Sequence, residues 1–222
     1  MQTREGQWER FQHQHGEYLT HGPDKNGETA LHKAASGGYE HVAEDLIKQG
    51  HDINAKNCFG ESVMQVAIAP LREPQSDPRG IQQALIDAGV DLHAKDNTGH
   101  SLLHSAAMTG DPEMCKFLVE RGGLDINART LSGDTPLHSA AKLGRAECIG
   151  QLLKNGAEAS IQNVDHKSAR DVALGVAAKD TLDKHAFEQR MKCVQLPDPQ
   201  SALQRLGSQT REPDLTVKAR KL

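Results

Sequence analysis

One block of sequence recurs along this 222-residue chain, and the recurrence limits the fold more than any single motif. It opens at Asp24 (DKNGETALHKAASGG), Asn57 (NCFGESVMQVAIA), Asp96 (DNTGHSLLHSAAMTG) and Thr130 (TLSGDTPLHSAAKLG), with a decayed copy at Asn163 (NVDHKSARDVALG). The starts lie 33, 39, 34 and 33 residues apart. A partner segment follows at 41–54, 114–127 and 147–160, and more weakly at 81–93. A period of this length marks a stack of small supersecondary units.

Each unit has a physical reading. Asp/Asn-x-x-Gly is a turn signal, with Gly where positive φ is needed. Thr29, Ser62, Ser101, Thr135 and Ser168 stand where a helix N-cap hydroxyl satisfies an orphan N–H. Pro136 fits the first helical position. His32, His104 and His138, three residues after the cap, reach back around it. The Ala pairs 34–35, 106–107 and 140–141 let neighbouring helices approach closely, and Gly38, Gly110 and Gly144 end this short helix. A second helix carries apolar pairs at 46–47, 85–86, 118–119 and 152–153 and closes at Gly50, Gly89, Gly122 and Gly156. No such unit buries its apolar face alone, so the expectation is an all-α solenoid. Aromatic residues make up only 3% of the chain, which suits Ala/Leu helices at close range.

These residues resemble the ankyrin repeat, whose signature T-P-L-H-x-A is met in full at Thr135-Pro136-Leu137-His138-Ser139-Ala140. The first copy has Ala30 in the Pro position, the third reads Ser101-Leu102-Leu103-His104, and the second drifts to Ser62-Val63-Met64-Gln65. The resemblance covers about 24–175 and extends to 193. It implies repeats at about 24–56, 57–95, 96–129 and 130–162 and a capping repeat at 163–193. In the last, His166 replaces the turn Gly, Arg170 and Asp171 replace Leu and His, and 179–194 forms the second helix. There Leu182, Ala186 and Arg190 share one stripe beside Phe187, Met191 and Val194. Residues 1–23, with Trp8, Phe11, Tyr18 and Leu19, read as an N-terminal helical cap. Residues 194–222, ending Lys218-Ala219-Arg220-Lys221, read as a disordered tail. The long second repeat places an exposed, Pro-rich insertion near 69–80, and one extra residue falls at Gly122-Gly123.

The remaining chemistry is sparse. Formal net charge is −4, against a strongly basic nucleic-acid binder. No apolar run is long enough to span a membrane, and the polar start does not read as a signal peptide. The four Cys show no CxxC and suit free thiols in a reducing compartment. Cys148 falls in a core slot, Cys115 beside it is expected to be part-buried, and Cys58 is exposed. The repeat histidines lie in separate units, too far apart to share one ion, and His13-Gln14-His15 sits on a poor cage. No nucleophile, phosphate-loop or HExxH motif is present. The expectation is a protein without cofactor, metal or catalytic residues.

The resemblance implies protein–protein recognition through one concave face, as an adaptor, scaffold or inhibitor acting as a monomer in the cytoplasm or nucleus. The contact positions it implies are Lys25, Asn26, Glu28 and Ser36, then Cys58, Phe59 and Glu61. Next come Asn97, Thr98, His100 and Met108, followed by Leu131, Ser132, Asp134, Lys142 and Leu143. Phe59, Met108, Leu131 and Leu143 are apolar where exposure is expected, which makes them candidate anchors. It also implies a candidate β-hydroxylation of Asn54, which has Leu46 eight residues upstream. Asn127 departs, because the extra residue puts Leu118 nine before it. A turn-stabilising role is the competing reading of Asn54. Two other functions stay open: a bacterial effector delivered to a host cytosol with the tail as export signal, and an enzyme or metal protein with an atypical site.

Overall fold

The computed structural model describes residues 3–16, 22–69 and 78–193. Tyr18, Leu19, Val194, most of the 69–80 insertion and the tail lie outside the described residues. The chain divides into two compact units, Met1–His185 and Ala186–Leu222.

Helices alternate in pairs. Helix α1 is Arg4–His15; then come α2 (Ala30–Gly37) with α3 (Glu40–Lys48), and α4 (Val63–Ile68) with α5 (Pro78–Asp87). They are followed by α6 (Leu102–Thr109) with α7 (Pro112–Glu120), α8 (Pro136–Lys142) with α9 (Ala146–Lys154), and α10 (Val176–Cys193). Among the described residues there is no sheet, only isolated bridges Lys56–Ser62, Lys95–Ser101 and Gln162–Ser168 at the feet of three turns. This is the all-α solenoid. First helices stack on first helices (α2, α4, α6, α8), and second helices on second (α3 on α5, α7 on α9).

Local chemistry sets each start. Thr29, Ser62, Ser101 and Thr135 cap α2, α4, α6 and α8 with reciprocal bonds to the third helical residue, His32, Gln65, His104 and His138. The ring or amide then reaches outward to the next repeat. His32 Nε2 donates to Glu61 O at 3.3 Å, Gln65 Nε2 to His100 O at 3.1 Å, His104 Nε2 to Asp134 O at 3.1 Å, and His138 Nε2 to Lys167 O at 2.9 Å. A carbonyl only accepts, so each ring carries its hydrogen on Nε2 and accepts at Nδ1.

The turns between repeats project as fingers. In four of them one side-chain oxygen takes two backbone N–H groups: Asp24 from Asn26 and Glu28, Asn57 from Phe59 and Glu61, Asp96 from Thr98 and His100, Asn163 from Asp165 and Lys167. Backbone bonds of 2.8–3.1 Å tie neighbouring fingers: Cys58 to Asn26, Asn97 to Phe59, Leu131 to Thr98 and Val164 to Ser132. Gly60 and Gly99 have positive φ, and a Cβ on either would press on the next finger.

The core is a column of Leu, Ile and Ala. Leu31, Leu46, Leu85, Leu102, Leu103, Leu118, Leu137, Ile149 and Leu152 are fully buried, and the three Ala pairs are buried with them. Helix α1 lies on α2 and α3. Its Phe11 is buried edge-on to Tyr39 at 5.6 Å, Trp8 Nε1 donates to Asp45 at 2.8 Å, and Tyr39 Oη donates to Gln14 at 2.7 Å.

Five local expectations need correction. Ser168 caps no helix: it exchanges bonds with Asp171, but the segment is a turn, with Arg170 and Asp171 where a stacked first helix keeps apolar residues. Its finger survives, because His166 adopts φ 57° in place of the Gly. The extra residue of repeat 3 moves the left-handed position to Gly123, so Gly122 does not hold it. Residues 78–80 belong to α5 and not to a loop. Cys115 is fully buried. The last helix begins at Val176 rather than 179; Ala178 and Leu182 are buried on it, one turn apart, whereas Phe187 and Met191 in the second unit are exposed.

Candidate functional site

The fingers and first helices share one face, and the sixteen implied contact positions divide upon it. Lys25 is exposed at the first finger, while Asn26 is half-buried beneath it and bonded through its carbonyl to Cys58. Ser36 Oγ donates to Lys33 O at 3.2 Å. Cys58 is exposed, as are Asn97, Thr98 and Ser132. The four apolar positions reach solvent: Phe59 is 60% exposed, Met108 39%, Leu131 78% and Leu143 44%.

Between repeats 2 and 4 this face hollows into a groove of about 640 Å³. Of the implied positions it gathers Cys58, Phe59, Glu61, Asn97, Thr98, His100, Met108 and Leu143. Leu131, although the most exposed of the four apolar residues, is outside it. Gln65, Ala69, Asp96, Ser105, Thr109 and Arg145 complete the walls and were not among the implied contact positions. Their signal was there: Ala69 and Ser105 sit seven and four residues after a helix cap, equivalent to Ser36 and Lys33 in the first repeat.

Charge on the face is largely neutralised within it, but not evenly. Asp134 is only 6% exposed, not a surface contact. Its carboxylate takes Lys142 Nζ, Asn163 Nδ2 at 2.9 Å and Ser132 Oγ at 3.0 Å. Burial raises this carboxyl, and those partners outweigh it and hold it below its ordinary value. Lys33 pairs with Glu28 and, at 2.9 Å, with Asp24, so Glu28 is also committed inside the fold. Asp96 is likewise pushed up by burial, then carried below its ordinary value by the Thr98 hydroxyl and the His100 and Thr98 amides. Glu61 accepts from Asn57 Nδ2 at 2.8 Å.

Two of the thiols meet in the core, where neither reaches solvent. Cys115 on α7 and Cys148 on α9 are buried against each other. The hydrogen bond between them, then burial, pushes the Cys115 thiol up, away from the reactive thiolate. Among the described residues no three His, Cys, Asp or Glu side chains gather as an ion would require. Asn54 Oδ1 accepts from Asp91 N at 2.9 Å, and Asn127 Oδ1 from Glu158 N at 3.0 Å, so both side chains staple one repeat to the next.

Known proteins match the same segments. A family model for three ankyrin repeats fits residues 75–163, and a single-repeat model fits 26–58. The chain belongs to the ankyrin repeat family. Among curated relatives, an ankyrin repeat domain-containing protein, SAT10, of the fungus Stachybotrys chartarum is 34% identical over 104 residues, 45% of this chain and 5% of its own length. Neurogenic locus notch homolog protein 1 of Danio rerio is 33% identical over 136 residues, 49% of this chain and 6% of its own. The chain therefore spans about a twentieth of the length of the curated relatives it matches. Ankyrin repeats are in general modules for protein–protein interaction. No helix among the described residues is long and apolar enough to cross a membrane.

Proposed function

We propose that this ankyrin repeat protein is a non-catalytic binding module that seats a segment of another protein in the groove of repeats 2–4. One observation carries the reading. Phe59, Met108 and Leu143 come from three successive repeats, each exposed, and line the same hollow. Covering such side chains yields about 25 cal/mol per Å² of apolar surface, and a few central residues supply most binding energy. The ladder of finger bonds and the packed helices beneath fix the groove before a partner arrives, which lowers the ordering cost of binding. In this reading the protein acts as a monomeric adaptor, scaffold or inhibitor in the cytoplasm. Affinity purification compares the wild type with Phe59→Ala, Met108→Ala and Leu143→Ala. Expected is a partner retained by the wild type and lost or strongly depleted in all three. A partner retained by all three variants would contradict the assignment of the face.

A further inference from the structure

The groove lies where the fold stops supplying its own lysines. In repeat 1 the fourth residue after the helix cap is Lys33, paired with Asp24 and Glu28. In repeat 4 the seventh residue after the cap is Lys142, paired with Asp134. In repeats 2 and 3 those two positions hold Val66 and Ala69, then Ser105 and Met108. The acids remain: Glu61 in the register of Glu28 and Asp134, and Asp96 in the register of Asp24. Among the described residues no Lys or Arg ion pair reaches either one; Asp96 faces His100 Nδ1 at 3.4 Å. The carboxylate of Glu61 is anchored through one oxygen by Asn57. Both carboxylates line the groove beside Phe59 and Met108. Arg145 lies past the far end of α8 from the fingers, its Nε donating to Met108 O at 3.1 Å.

Resting on the binding role above, we propose that the occupant is a peptide segment of the partner carrying Lys or Arg beside bulky apolar residues. The cation docks at the finger end against Glu61 and Asp96, and the apolar side chains cover Phe59, Met108 and Leu143. The partner thus restores the lysine that repeats 2 and 3 lack. A carboxylate held in place beside apolar walls gains more from a cation than a freely solvated one, because little water remains to screen the pair. The placement of Arg145 sets the direction: a basic group at that end meets like charge.

A random dodecapeptide library displayed on phage, panned on the full chain, supplies the probe. Expected are binders that combine Lys or Arg with Leu, Ile, Phe or Trp. A selected peptide and its basic-residue→Gln version are then measured by fluorescence anisotropy against wild type, Glu61→Gln and Met108→Ala, each confirmed folded by thermal melting. Neutralising either the peptide or Glu61 weakens binding about tenfold, and neutralising both weakens it little further. Groove-dependent peptides without basic residues, acidic ones, or independent losses at the two charges overturn the charge match and leave the binding role standing. A library yielding no binder that Met108→Ala weakens overturns both.

Discussion

His104 accepts at Nδ1 from the Ser101 backbone at 3.2 Å and donates at Nε2 to Asp134 O of the next repeat. Accepting at Nδ1 needs the neutral ring, and burial pushes the pKa down to about 4 from 6.5, although the bond from Nε2 to the carbonyl opposes the shift. The unfolded chain therefore holds more protons between those values. His104 contributes its full stability above pH 6.5 and loses it as the pH falls toward 4, a change on the order of 3 kcal/mol. His32 shifts in the same direction, burial again being the main cause. Urea melts at pH 7 and pH 5 should show the loss, and His104→Gln should reduce it. Gln is the natural choice because Gln65 makes the same two contacts in repeat 2. His104→Ala, which leaves the Ser101 amide without a partner and the Asp134 carbonyl with Thr130 N alone, should cost about 1–3 kcal/mol at pH 7. A variant with Ala as stable as one with Gln would mean the bridge between repeats carries no weight. Leu103→Ala, at a fully buried position, should cost about 2–5 kcal/mol in the same melts.

At the scale of the element, the short first helices were legible in the sequence because their signals are local. A hydroxyl cap, a His or Gln three residues on and, in three of the four, a Gly past the end are all chemistry within one short helix. At Ser168 the local signal persists where the packing residues have changed. Ser168 keeps the hydroxyl and its bonds to the third residue on, yet without the Leu and His no helix follows. The insertion was visible as extra length, but a Pro-rich stretch reads as loop even when its last residues open α5. Helix α1 has few apolar residues, and Phe11, named with Trp8 in the expected N-terminal cap, is buried in full. Phe11→Ala should cost about 3–5 kcal/mol. Because repeat arrays unfold unevenly, hydrogen exchange should show the loss concentrated in α2 and α3, which α1 covers. Uniform acceleration across all repeats would contradict local coupling.

For the molecule as a whole, period and fold class followed from spacing alone, since a unit that cannot bury its own apolar face must stack. The face was only partly legible. The resemblance put Asp134 and Glu28 among the contact positions, but in the structure they pair with Lys142 and Lys33, because long lysine side chains bend across one or two helical turns and a residue count does not show where they end. The groove itself needed three dimensions: Phe59, Met108 and Leu143 are separated by dozens of residues and converge only when repeats 2, 3 and 4 stack. Site-specific photo-crosslinking shows whether a partner sits in this hollow. A benzophenone amino acid placed at Met108 in the groove, and in a separate variant at Lys154 on the exposed end of α9, reports which surface is covered in the cell. Expected is a discrete adduct from position 108, abolished by Phe59→Ala, and none from position 154. A discrete adduct from 154 with none from 108 would contradict a partner seated in the groove.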